Sequence, residues 1–199
     1  MTFSQGRASR VTDRGDGTIL RVGGRPEAEA RIMELARSHG IPVPRVHEVQ
    51  PASLVLERID GPTMGQHLAR HPWLVGPHVR TLADLHDGLH AIPFEGARLV
   101  HFDLHPDNVL ISPDGPVLID WTNAHGGDPD ADLAMTWLIF ATSAGLPGRL
   151  MARLFQSRVG RTSIVRGLAD AGAFRTSDPN VTDAEKQRVT DVSRKLAGG

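Results

Sequence analysis

The sequence predicts an α+β protein of two lobes, a small β-rich one followed by a larger, mainly helical one. Three observations lead there. Asp16-Gly17 sits between short stretches able to pair, Ala28, Ile32, Leu35 and Ala36 recur at helical spacing, and past residue 62 one β-hairpin interrupts an otherwise helical pattern. The predicted division falls at the hinge of residues 57–61, giving lobes of residues 1–59 and 60–199.

Taken in order, residues 10–22 read as strand, turn and strand, because an Asp-Gly pair suits the positive φ angles of a tight hairpin. Pro26 opens a helix of about three to four turns, and Gly40 with Pro42 stops it. Residues 42–51 read as a connector. Leu54-Val55-Leu56 is a short apolar strand running into Glu57 and the turn-forming Asp60-Gly61-Pro62. Residues 62–92 are expected to be helical, with Leu82, Leu85, Leu89 and Ile92 along one face. Two β-rich arms then flank Pro113-Asp114-Gly115 in residues 108–120. Residues 132–142, 147–159 and 182–197 complete the expected helices, the last opened by the capping pair Thr182 and Glu185.

Composition narrows the function classes. A chain of 199 residues with 40% hydrophobic and 23% charged residues is an ordinary globular protein. Its net charge of −1 and lack of a basic stripe speak against nucleic acid. With no cysteine, disulfides, thiolate metal sites and thiol nucleophiles are excluded. Neither a signal peptide nor an apolar run near the ~20 residues of a membrane span is seen, so a cytoplasmic location without membrane association is expected.

The chemistry is concentrated in His101-Phe102-Asp103-Leu104-His105-Pro106-Asp107-Asn108 and in Ile119-Asp120-Trp121. A hairpin symmetric about Asp114 would set Asn108 and Asp120 opposite each other, on strands about 4.8 Å apart. Two such oxygen-bearing side chains can share one Mg²⁺, leaving its other positions to water and phosphate oxygens. Asp103, five residues before Asn108, is placed to orient or deprotonate an acceptor hydroxyl. Phosphoryl transfer asks mainly for alignment and charge neutralisation, which this set could supply.

The H-x-D-x-x-x-x-N pattern, the following I-D-W and Gly127-Asp128-Pro129-x-x-Asp132-Leu133-Ala134 together resemble the aminoglycoside phosphotransferase and choline kinase family, within the protein kinase-like superfamily. The likeness covers about residues 3–145. Gly6-Arg7-Ala8-Ser9-Arg10-Val11 resembles the family's reduced nucleotide loop, Ile19–Val22 its third strand, Glu29 its helix glutamate and Leu54–Pro62 its hinge.

The resemblance implies a kinase-like fold with Asp103 as the catalytic carboxylate and Asn108 and Asp120 as Mg²⁺ ligands. Gly6 and Ser9 would belong to the nucleotide loop. Arg21 would grip the phosphates, braced by Glu29, while Leu56, Glu57 and Ile59 would hold the base. Asp132 would anchor the catalytic loop. The co-substrate would be ATP or GTP and the acceptor a small hydroxylated metabolite or antibiotic. Arg21 stands where the family carries Lys, and Trp121-Thr122 replace the Phe-Gly of protein kinases. Only seven residues separate Asp120 from Asp128, too few for a switchable loop, so constitutive action on a small molecule is expected.

Two other readings compete. A nucleotide-binding pseudokinase would share the whole pattern and act as an interaction module. A metal-dependent hydrolase could use His101, Asp103 and His105, or the i, i+4 pair His86 and His90; Asp87 in place of the glutamate base of H-E-x-x-H argues against the latter.

Overall fold

A computed structural model describes residues 2–6, 9–143, 145–179 and 181–198, with side chains from residue 10 onward. The chain forms two compact units, residues 1–67 with 107–124 and residues 68–106 with 125–199.

The first unit is built on an antiparallel five-stranded sheet in the order β1-β2-β3-β5-β4. Its strands are β1 (Thr2–Gly6), β2 (Ser9–Asp13), β3 (Thr18–Gly23), β4 (Val46–Gln50) and β5 (Ser53–Glu57). The turn between β2 and β3 lies where the sequence places it, with Gly17 at φ +82°. β5 lies between β3 and β4, so Leu54, Val55 and Leu56 are all buried. β4 corrects the expected connector. It is an edge strand whose His47, Glu48 and Val49 are exposed, so it lacks the alternation that marks a half-buried strand.

Helix α1 (Pro26–Ser38) buries Ile32, Met33 and Ala36. It ends in a Schellman motif: Ile41 N–H donates to Ala36 O (3.1 Å) and Gly40 N–H to Arg37 O (3.0 Å), with Gly40 at φ +83°. A β-hairpin, β8 (Val109–Ser112) and β9 (Gly115–Leu118), is tied into the same unit on both edges. Ile111 N–H donates to Pro62 O (2.9 Å) and Leu118 N–H to Pro42 O (2.8 Å). Gly61 permits the first contact, since a Cβ there would strike the Ile111 carbonyl.

Between Pro62 and Ile92 the chain is not one helix. It forms α2 (Met64–Arg70), a short 3₁₀ turn at Pro72–Leu74 and α3 (Val75–His90). Pro72 and Pro77 explain the restart, because proline is tolerated only in a helix's first turn. Leu82, Leu85 and Leu89 are buried as the periodicity predicts.

The second unit packs α3 with α4 (Pro129–Thr142), α5 (Gly145–Val159), α6 (Arg161–Ser177) and α7 (Asp183–Gly198). Leu82, Leu89, Leu138, Phe155 and Ile164 lie at 0% exposure in its core. Each such side chain contributes roughly 1.5–3 kcal/mol relative to an exposed one. In this unit a small sheet and one helix lie outside the sequence expectation, as β1 does in the first unit. The sheet consists of β6 (Pro93–Phe94), β7 (Ala97–Val100) and β10 (His125–Gly127). The helix is α6, whose small residues blur any apolar stripe but let it approach α4 closely: a Cβ on Gly167 would meet the Asp130 carbonyl. The Thr182–Glu185 capping box forms as read, with Thr182 N–H donating to Glu185 Oε2 (3.0 Å) and Glu185 N–H to Thr182 Oγ1 (3.3 Å).

Candidate active site

Two clusters of charged side chains, one in each unit, gather Arg21, Glu29 and Asp120 in the first and His86, His90 and Asp132 in the second. In the first unit Arg21 is the most deeply placed residue of β3, 6% exposed. Its Nη1 pairs with Glu29 Oε2. Glu29, itself buried, divides its oxygens: Oε1 accepts from the Arg25 N–H at the helix start (2.9 Å) while the other meets the guanidinium. Gly24, at φ +75°, makes room, because a Cβ there would collide with the carboxylate. A bare guanidinium at this depth would be costly, and the buried carboxylate offsets that cost.

The other arm of Arg21 faces the chain leaving the hairpin. Nη2 donates to Thr122 Oγ1 (2.5 Å) and lies 3.6 Å from Asp120 Oδ1, which also accepts from Thr122 Oγ1 (2.7 Å). Thr122 enters the sequence reading only as a departure from the Phe-Gly of protein kinases, with no role of its own. Two residues after a carboxylate, it could point anywhere until the backbone is known.

The register of the hairpin departs from the expected symmetry. Ser112 pairs with Gly115 and Val109 with Leu118, and Ile119 N–H donates to Asn108 O (2.9 Å). The tip is therefore the two residues Pro113-Asp114, with Gly115 at φ +124°, and Ile119 rather than Asp120 lies opposite Asn108. Asp120 sits one residue further on at φ +61°, in the left-handed region. That turn breaks strand alternation for the aspartate and costs about 1–3 kcal/mol for a residue other than glycine. Asn108, at the end of a 3₁₀ turn (Pro106–Asn108), is buried; the Asp120 side chain is 36% exposed.

The remaining predicted nucleotide residues are spread along the sheet. Gly6 pairs with Ser9 across a tip whose Arg7 and Ala8, like the Ser9 side chain, lie outside the described residues. Leu56 is buried opposite Ile19. Glu57 ends β5 with its side chain turned to the Arg45 N–H (3.0 Å), and Arg58 N–H donates to Gly17 O (3.0 Å) just before Ile59.

In the second unit the loop His101–Leu104 is gripped by α4. Asp132, at 0% exposure, accepts from Phe102 N–H on Oδ1 (2.8 Å) and from His101 N–H on Oδ2 (3.2 Å). Oδ2 also meets His86 Nδ1 (3.2 Å) and His90 Nε2 (2.9 Å). Burial alone would raise the Asp132 pKa, but the charge and hydrogen bonds of His86 and His90 outweigh it and hold the carboxyl well below its ordinary value. Phe102 is at φ +61° and packs edge-on to His125 and Phe174. Asp103 follows it, its side chain 27% exposed and 3.8 Å from His105 Nε2. Asp128 caps α4 through the Asp130 N–H (2.9 Å). Among the described residues, His86, His90 and Asp132 are the trio whose ligand atoms converge; the expected alternative trio of His101, Asp103 and His105 is not such a group.

The fold is that of the kinase-like phosphotransferases. The chain superposes on aminoglycoside phosphotransferase APH(4)-Ia with a TM-score of 0.70 and 18% identity, covering 100% of this chain and 93% of that one. A choline/ethanolamine kinase family protein from Mesorhizobium loti gives 0.65 and 17%, over 98% and 87%. Macrolide 2'-phosphotransferase MphH from Brachybacterium faecium gives 0.57 and 16%, over 100% and 91%. In sequence, residues 95–164 match the model of the phosphotransferase enzyme family, APH, a stretch that includes Asp103, Asn108, Asp120, Asp128 and Asp132. The resemblance and the two-part fold class read from the sequence are thereby borne out. No curated protein matches the chain in sequence. Among the described residues no helix is long and apolar enough to cross a membrane.

Proposed function

We propose that the chain transfers the γ-phosphoryl group of ATP or GTP to a hydroxyl of a small molecule, with residues 1–59 serving mainly the nucleotide and residues 60–199 the acceptor. The observation that carries this reading is the first-unit cluster, where a buried guanidinium is braced by Glu29 on one side and faces Asp120 on the other. Arg21 supplies positive charge for phosphate oxygens, and Glu29 keeps it aimed. Gly6 and Ser9 line the phosphate loop, and Leu56, Glu57 and Ile59 receive the base.

Asn108 and Asp120 present hard oxygen donors of the kind Mg²⁺ takes, which fits the ion chemically. Held by these two side chains, Mg²⁺ would supply positive charge for phosphate oxygens. Asp103 orients the acceptor hydroxyl and takes its proton as the new O–P bond forms, and the diphosphate leaves with the electron pair of the broken P–O bond. A small hydroxylated acceptor is supported by the neighbours, among them an APH(4)-Ia variant in ternary complex with AMP-PNP and hygromycin B.

The roles separate experimentally. Thermal stabilisation by ATP or GTP with Mg²⁺ should vanish in Asp120→Ala, whereas Asp103→Ala should keep it and lose turnover by about 10³-fold or more. Equal loss of binding in both variants would end the assignment. Mg²⁺-dependent binding without turnover on any acceptor would leave a nucleotide-binding module in place of the enzyme.

A further inference from the structure

We propose that His86 is a positioning residue, a doubly protonated imidazolium that ties together the two side chains gripping the backbone on either side of Asp103. On the N-terminal side Asp132 holds the His101 and Phe102 amides. On the C-terminal side Thr136 Oγ1 donates to Leu104 O (2.7 Å). His86 spans both anchors, with Nδ1 3.2 Å from Asp132 Oδ2 and Nε2 3.0 Å from Thr136 Oγ1.

Proton accounting sets its state. The Leu104 carbonyl can only accept, so the single hydroxyl hydrogen of Thr136 is committed to it, and Thr136 must accept from His86 Nε2–H. Asp132, already receiving two amides and held ionised, can only accept as well, so Nδ1 also carries a hydrogen. The ring at 0% exposure is therefore a cation beside a buried anion. Among the described residues that face the ring, α4 contributes Asp132 and Thr136, α3 contributes His90, whose Nε2 shares Asp132 Oδ2, and α5 contributes the Phe155 ring at 5.7 Å.

The consequence concerns the loop. Phe102 is held at φ +61°, a conformation that an aromatic residue abandons unless its surroundings impose it. His86 makes the two grips one unit, so Asp103 is fixed from both directions by a single ring.

The proposal rests on the phosphotransfer reading for its rate readout, and the first test is independent of that reading. Nitrogen-15 NMR of histidine-labelled protein at pH 7 should show both His86 ring nitrogens protonated, with hydrogens protected from exchange. A neutral tautomer would overturn the idea, as would stoichiometric zinc in the purified protein that shifts those resonances when chelated.

The second test uses half-replacements. His86→Asn keeps a donor near the Nδ1 position, and His86→Gln one near Nε2. Each should lower kcat roughly tenfold to a hundredfold while nucleotide KM and Mg²⁺-dependent nucleotide stabilisation stay within about twofold. Thr136→Val should produce the same split, and Thr136→Ser should restore it. Wild-type kcat in both His86 variants, or a matching rise in KM, would refute the positioning role.

Discussion

The two charged clusters use the same ingredients to opposite ends. Around Asp132 every bond runs to another part of the protein: two amides, two imidazoles and no exposed surface. Around Arg21 one flank is sealed by Glu29, but the other ends in an Asp120 carboxylate more than a third exposed and displaced from strand geometry. A network that closes on itself serves as an anchor. One that stops at a solvent-facing carboxylate leaves that group available to something else.

The sharpest way to break this contrast is Asp132→Asn. It removes the buried carboxylate that both imidazoles face and weakens four hydrogen bonds, so stability should fall by about 3–5 kcal/mol in urea denaturation. Acid should reach the same group without mutation. Because the folded Asp132 pKa lies below the ordinary 3.8, its contribution is complete above that value and is lost as pH falls through the folded one. Wild-type stability measured below about pH 4 should therefore drop more steeply than that of Asp132→Asn. Parallel curves would mean that the carboxylate is not held ionised.

Glu29→Gln tests the open cluster and should have a smaller effect. It removes a buried charge but retains an amide able to accept from Arg25 N–H, so a loss of about 1–3 kcal/mol is expected. Mg²⁺-dependent nucleotide stabilisation should weaken at the same time, since Arg21 loses its brace. A stability loss with unchanged nucleotide response would make the pair structural only. The smallest effect should come from Thr182→Ala at the start of α7, far from either cluster in the sequence. It removes a helix cap worth about 1 kcal/mol and should leave turnover unaltered.

Much of this was readable from residue order because it depends on local rules. The Asp-Gly turn, the Gly40 helix stop, the Thr182–Glu185 cap and the apolar run of β5 each carry their instruction within a few residues. The contrast between Asn108 and Asp120 was readable in kind but not in register. Whether the hairpin tip has two residues or three depends on which residue takes positive φ, and Gly115 rather than Asp114 does so. Thr122, His86 and Thr136 gain meaning only from partners far along the chain, at Arg21, Asp132 and Leu104. β4 and α6 stayed hidden for a different reason. An exposed edge strand and a helix lined with small residues lack the amphipathic rhythm that announces burial.

Gly167 shows what such smallness entails. With no side chain at this point, α6 rests directly on the peptide plane joining Asp130 to Ala131, inside the first turn of the helix that carries Asp132. Any bulkier residue at 167 would have to push that turn aside. The freedom of α6 to change in sequence at this point is thus limited by the helix that carries Asp132, through a spacing measured in single carbon atoms.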